Sequence, residues 1–119
     1  IDYFIGTINE ALKRNIEVIF FVPRPSFKHH VARSALSNHQ NNHMVFHKKY
    51  RDIFDDKLNS LTKNGLIIFD QETIIKDKLC SLSNACSKGL DKGYAFYSDQ
   101  NHLSSYGANY VFEKVESIL

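Results

Sequence analysis

The stretch IEVIFFVP, residues 16–23, decides the fold class. It is short, almost continuous in β-branched and aromatic side chains, and ends on Pro23. Such a run predicts a strand buried on both faces, the pattern of a parallel sheet covered by helices. Upstream, Ile1, Phe4, Ile5, Ile8, Ala11 and Leu12 recur at helical spacing, with Asn9, Glu10, Lys13 and Arg14 on the other face and Asn15 as the stop. Downstream, RPSFKHHVARSALSNHQNNH (24–43) is polar and irregular, and reads as a long loop with one helical turn. Long loops in small domains are often functional. Phe46, Tyr50, Ile53, Phe54, Leu58 and Leu61 form a second helical stripe that stops at Asn64-Gly65. LIIFD (66–70) is a second buried strand, QETIIKDKLC (71–80) a loop with a helical turn, and YAFYSD (94–99) a brief strand. Ala108, Val111, Phe112, Val115 and Ile118 make a third stripe, capped by Ser104 or Ser105. The alternation is α/β and implies a parallel sheet with helices outside. Two or three strands make a thin sheet, so further N-terminal strands of the same fold are expected outside this chain.

With 119 residues the chain has room for one small domain. Its net charge is +2, with the lysines scattered among acids. No basic stripe interleaved with aromatics is present, so nucleic acid is not an expected partner. The run at 16–23 is too short to span a bilayer and contains Glu17. No signal peptide is evident. The chain opens on IDYFIGTINEALKRN without an initiator Met, which reads as a processed or partial chain.

Chemistry concentrates in FYSDQNHLSSYGANYV (96–111), where Asp99 and His102 stand three apart in a polar bend before a helix. A Ser hydroxyl becomes a good nucleophile when an imidazole takes its proton, and that imidazole needs an orienting carboxylate. Asp and His are also ordinary turn formers and caps ahead of helices. Gly107 would let the helix approach the sheet closely. Cys80 and Cys86 are neither a redox C-x-x-C nor a four-ligand zinc site. They are either free thiols or a small disulfide loop, and the polar residues around them favour the disulfide. His39, His43 and His47 are four apart, a spacing that suits zinc on a helical face. The Asn-rich context fits a polar loop or an acceptor groove as well. Tyr94, Phe96, Tyr97 and Tyr106 are either a sugar-stacking wall or packing. Arg24 follows a strand end, where parallel-sheet folds place ligand contacts; solvation is its alternative role.

The block YSDQNHLSSYGANYV resembles the last conserved block of the SGNH (GDSL-type) hydrolase superfamily. It looks most like the SGNH domains fused to membrane acyltransferase-3 family proteins that O-acylate bacterial surface polysaccharides. Tyr97, Asp99, His102, Leu103, Ser104, Gly107 and Ala108 occupy the family's positions. EVIFFVPRPSF resembles its buried strand and Pro-containing loop, and Cys80 with Cys86 resembles a cysteine pair often found just upstream of the block.

The resemblance implies a three-layer α/β/α, flavodoxin-like parallel sheet and a Ser-His-Asp acyl-transfer site. Asp99 would orient the ring and His102 would serve as base, then acid, with no cofactor and no metal. The family's nucleophile lies in a Gly-Asp-Ser block, and this sequence contains none. The chain is therefore expected to be the C-terminal part of one SGNH-like domain, inactive alone, with the Ser in the N-terminal remainder. The implied partners are an acyl donor, with acetyl the expected group, a carbohydrate acceptor, and a membrane acyltransferase domain. The implied location is extracytoplasmic, on the periplasmic face of a bacterial inner membrane. The alternatives are a secreted GDSL-type esterase or lipase and a non-catalytic carbohydrate-binding module. A Ser on the first strand separates catalysis from binding, and upstream hydrophobic helices separate transferase from secreted esterase.

Overall fold

Helix α1 (Asp2–Lys13) ends where Asn15 turns left-handed, with φ 59°. The Ile16 amide returns to the Ala11 carbonyl at 3.0 Å and the Asn15 amide to Leu12 at 3.1 Å, the paired bonds of a Schellman stop. The computed structural model describes residues 2–36, 42–61, 65–80, 86 and 88–119, and it divides into two units.

The first unit joins Ile1–Pro23 to His47–Asp70. Strand β1 (Val18–Phe21) is the centre of the apolar run, and it pairs in parallel with a strand at Leu66–Phe69, in register from Val18 opposite Leu66 to Phe21 opposite Phe69. A helix at Lys48–Asn59 lies between them in sequence. This is a β-helix-β unit, as the alternation required. Ile8, Phe20, Val22 and Leu58 form its core, with Ile5, Leu12, Phe54 and Ile68 packed against them. The expectation of burial on both faces is met on one. Phe20 is 8% exposed, whereas Phe21, facing the other way, is 39% exposed and rests edge-on against Phe69. Ile16, also part of the run, lies outside the strand and is exposed. The second stripe is a helix as expected, but it starts at Lys48 and leaves Phe46 outside. Asn64, half of the expected stop, lies outside the described residues; Gly65 has φ 101°.

The second unit joins Arg24–Phe46 to Gln71–Leu119. Its first part is more ordered than a long loop. Strand β2 (Ser26–Phe27) leads to helix α2 (Val31–Leu36), then to β3 (Met44–Val45), which pairs antiparallel with β2. With Lys48–Asn59 as α3 and Leu66–Phe69 as β4, the next element is α4 (Gln71–Leu79). Here the expected loop with one turn is a full helix. Its apolar stripe is narrow, and Gln71 supplies a buried polar position at four-residue spacing from Ile75 and Leu79, which are 0% and 2% exposed. That polar first position hides the period. The brief strand at 94–99 is shorter than expected, and it is half of an antiparallel hairpin, β5 (Leu90–Asp91) with β6 (Tyr94–Ala95). Lys92 and Gly93 both have positive φ, 52° and 82°, the requirement of a tight two-residue hairpin turn. Helix α5 (Ser105–Glu116) closes the unit and buries Val111 and Val115.

Candidate functional site

The Asp99–His102 bend is built by its own hydrogen bonds. Asp99 Oδ1 accepts the backbone N–H groups of Asn101 and His102, both at 2.8 Å. This is the side-chain-mimicked turn that Asp favours. Asp99 Oδ2 accepts from His102 Nδ1 at 2.8 Å. At the base of the bend Tyr97 and Leu103 form an antiparallel bridge, and the Ser98 amide donates to the His102 carbonyl at 2.8 Å.

Electrostatics assign the proton. The backbone N–H of Asn101, then that of His102, then the imidazole hold the Asp99 carboxyl far below the usual carboxylate range. An ionised carboxylate only accepts, so Nδ1 must be the donor. In the neutral ring the lone pair is then on Nε2. Nε2 has no hydrogen-bond partner among the described residues, and the side chain is 71% exposed. An imidazole held this way can take a proton from a group that approaches from solvent, and the carboxylate stabilises the cation that results.

Packing anchors both flanks. Phe96 and Tyr97 are fully buried. The Tyr97 hydroxyl donates to the Pro25 carbonyl, and burial pushes the phenol well above its ordinary pKa, so it stays a donor. After His102, Ser104 caps α5: its Oγ accepts from the Gly107 amide at 3.1 Å and donates to the Ala95 carbonyl at 2.6 Å. A Cβ on Gly107 would sit 2.1 Å from the Phe96 carbonyl oxygen, so only glycine permits this approach.

The Pro-containing loop grips the bend. The Phe27 amide donates to the Gln100 carbonyl at 2.7 Å, and the Gln100 side-chain amide donates to the Lys28 carbonyl at 3.0 Å. Arg24 Nε donates to the Asn101 carbonyl at 2.9 Å. Sequence reading places Arg24 near a strand end but misses this grip. The signal available is Pro23 and Pro25 flanking Arg24, which stiffen that segment.

The other candidates separate. Phe96 and Tyr97 are packing, while Tyr94 is 62% exposed and stacks on Tyr106 at 5.1 Å between ring centres. The Tyr106 hydroxyl donates to Asp91, which also pairs with Lys78 at 3.5 Å. Of the spaced histidines, His39 lies outside the described residues, and no group of metal-ligating side chains forms among the described ones. Of the neighbouring pair His29 and His30, His30 Nδ1 accepts from the Arg33 amide at 3.2 Å, at the start of α2. Cys80 and Cys86 are joined as a disulfide.

Among the described residues no helix is long and apolar enough to cross a membrane. The family model described as SGNH domain (fused to AT3 domains) matches residues 2–117. No curated protein and no solved structure matches the chain.

Proposed function

Because the chain belongs to the SGNH domains that are fused to AT3 domains, a family of esterase and acyltransferase type, we propose that it supplies the Asp–His half of a Ser-His-Asp acyl-transfer site. The observation that carries the reading is the open Nε2 of a ring whose Nδ1 is tied to an ionised carboxylate at 2.8 Å.

In the proposed cycle a serine Oγ attacks the carbonyl carbon of an acyl donor while its proton passes to His102 Nε2. Asp99 stabilises the imidazolium. The tetrahedral intermediate collapses, the donor's leaving oxygen takes the proton back from Nε2, and an acyl-serine remains. A sugar hydroxyl, or water, then gives its proton to Nε2 and attacks the acyl-serine; the second intermediate collapses, the serine Oγ takes the proton back from Nε2, and the acylated product leaves. The chemistry needs no cofactor. The sequence has no Gly-Asp-Ser block, so the serine and the rest of a three-layer α/β/α sheet belong to the remainder of the same domain, and residues 1–119 are inactive alone. The acyl group is acetyl, the acceptor a surface polysaccharide, and the site extracytoplasmic.

The test is His102→Ala in the intact protein. We expect hydrolysis of a chromogenic acetyl ester to fall by about three or more powers of ten, and the O-acetyl signals of the polysaccharide to vanish from its proton spectrum. Melting should stay near that of the parent, because the ring is 71% exposed. Turnover and O-acetylation at parental levels would refute the reading.

A further inference from the structure

Three consecutive carbonyls of the bend are occupied by donors from one short segment, residues 24–31. The Asp99 carbonyl accepts the Val31 amide at 3.3 Å, the Gln100 carbonyl the Phe27 amide at 2.7 Å, and the Asn101 carbonyl Arg24 Nε at 2.9 Å. Two of these donors are main chain. The third is a side chain, and it is cationic.

The third sits at a particular peptide. The Asn101 carbonyl shares its peptide unit with the His102 N–H, and that N–H donates to Asp99 Oδ1 at 2.8 Å. The other carboxylate oxygen accepts the hydrogen bond from the ring's Nδ1–H. Guanidinium, peptide, carboxylate and imidazole therefore form one continuous chain of hydrogen bonds. A cation on the carbonyl end polarises the peptide and strengthens donation from its N–H end. The carbonyl contact also fixes the plane of the peptide from which the ring hangs.

Arg24 is itself well placed to hold. Pro23 and Pro25 flank it, and each fixes its own φ. The Pro25 carbonyl is in turn held by the buried Tyr97 hydroxyl. The guanidinium thus reaches the bend from a stiff segment rather than from a free loop.

We propose that Arg24 is a positioning residue for His102: it clamps and polarises the Asn101–His102 peptide, and so keeps the ring oriented with its Nε2 lone pair outward. It touches no reacting atom. The effect on turnover rests on the acyl-transfer reading above; the effect on the ring does not.

The experiment compares Arg24→Met and Arg24→Lys with the parent in the intact protein. Nitrogen-15 spectra of labelled histidine, assigned with His102→Ala, read the tautomer of His102. Steady-state kinetics on a chromogenic acetyl ester separate kcat from KM. Arg24→Met should lower the population of the Nδ1–H tautomer and reduce kcat on the order of tenfold, with KM held. Arg24→Lys, which keeps a cationic donor, should restore most of both. Should Arg24→Met fail to fold, Arg24→Gln carries the same comparison. A parental tautomer population in the folded Met or Gln variant overturns the proposal, whatever the melting temperature does. So does failure of Lys to restore it. If the parent itself shows no turnover, the acyl-transfer reading falls while the spectra still decide the role of Arg24.

Discussion

Asp99→Asn is the sharpest perturbation of the site. The carboxylate accepts three N–H groups: two backbone amides on Oδ1 and the ring on Oδ2. A carboxamide has one oxygen and two donors. If its oxygen stays on the two amides, two of three bonds survive and the NH2 faces His102 Nδ1. Two donors cannot face each other, so the ring must present a lone pair at Nδ1 and carry its proton on Nε2. The base is then protonated where a proton should be received. The flipped amide is worse, since it opposes its NH2 to both backbone donors and keeps one bond. We therefore expect a folded protein with the wrong tautomer. The rate loss should be about ten-thousandfold, the scale a triad shows when its carboxylate becomes an amide. The assay is ester turnover in the intact protein beside nitrogen-15 spectra of His102. The pH dependence follows from a folded-state pKa below the ordinary 3.8. A lowered carboxyl pKa contributes stability that is fully present above the unfolded value and is lost as pH falls through the folded one. Any gap in melting temperature between parent and Asp99→Asn should thus be constant at neutral pH and shrink in strong acid. Activity within tenfold of the parent, or an unchanged tautomer, would refute the reasoning.

Three other outcomes follow from the packing. Gly107→Ala should be destabilising by roughly 2 kcal/mol: the helix gains about 1 kcal/mol from alanine, but its new methyl cannot share space with the Phe96 carbonyl, and thermal melting reads the balance. Tyr97→Phe should cost about 1–2 kcal/mol in chemical denaturation, because it strands the Pro25 carbonyl. Reducing the Cys80–Cys86 bridge should remove about 2 kcal/mol by the chain-entropy relation; thiol titration of the denatured, unreduced chain should find no free cysteine, since none is free in the structure.

Much of the fold was legible because its signals are local. The parallel pair β1–β4 follows from two short apolar runs separated by an amphipathic helix. Asn15 as a helix stop, and a cap at Ser104 or Ser105 that the structure resolves to Ser104, follow from backbone chemistry within a few residues. Elements whose signal is spread over partners were missed or misjudged. The antiparallel pair β2–β3 consists of two-residue strands, too short for any period to show. The hairpin β5–β6 depends on Lys92 accepting a positive φ, which its side chain does not advertise. In α4 a buried Gln71 interrupts the apolar pattern. Phe21 is exposed although its strand, Val18–Phe21, is apolar throughout, because composition cannot say which face is covered.

By itself the sequence determined that Asp99 and His102 would meet. An Asp side chain reaches the amides two and three residues on, so a D-x-x-H bend brings carboxylate and imidazole together with little help from elsewhere. Tertiary structure decided what that pair can do. Whether the free Nε2 can be reached depends on its solvent exposure, and the hold on the bend comes from Arg24, Phe27 and Val31, some seventy residues earlier in the chain. Hydrogen bonds between segments so distant leave no periodic trace in sequence: two of the three depend only on where two backbones lie in space, and the third is an arginine whose partner its own neighbours do not reveal.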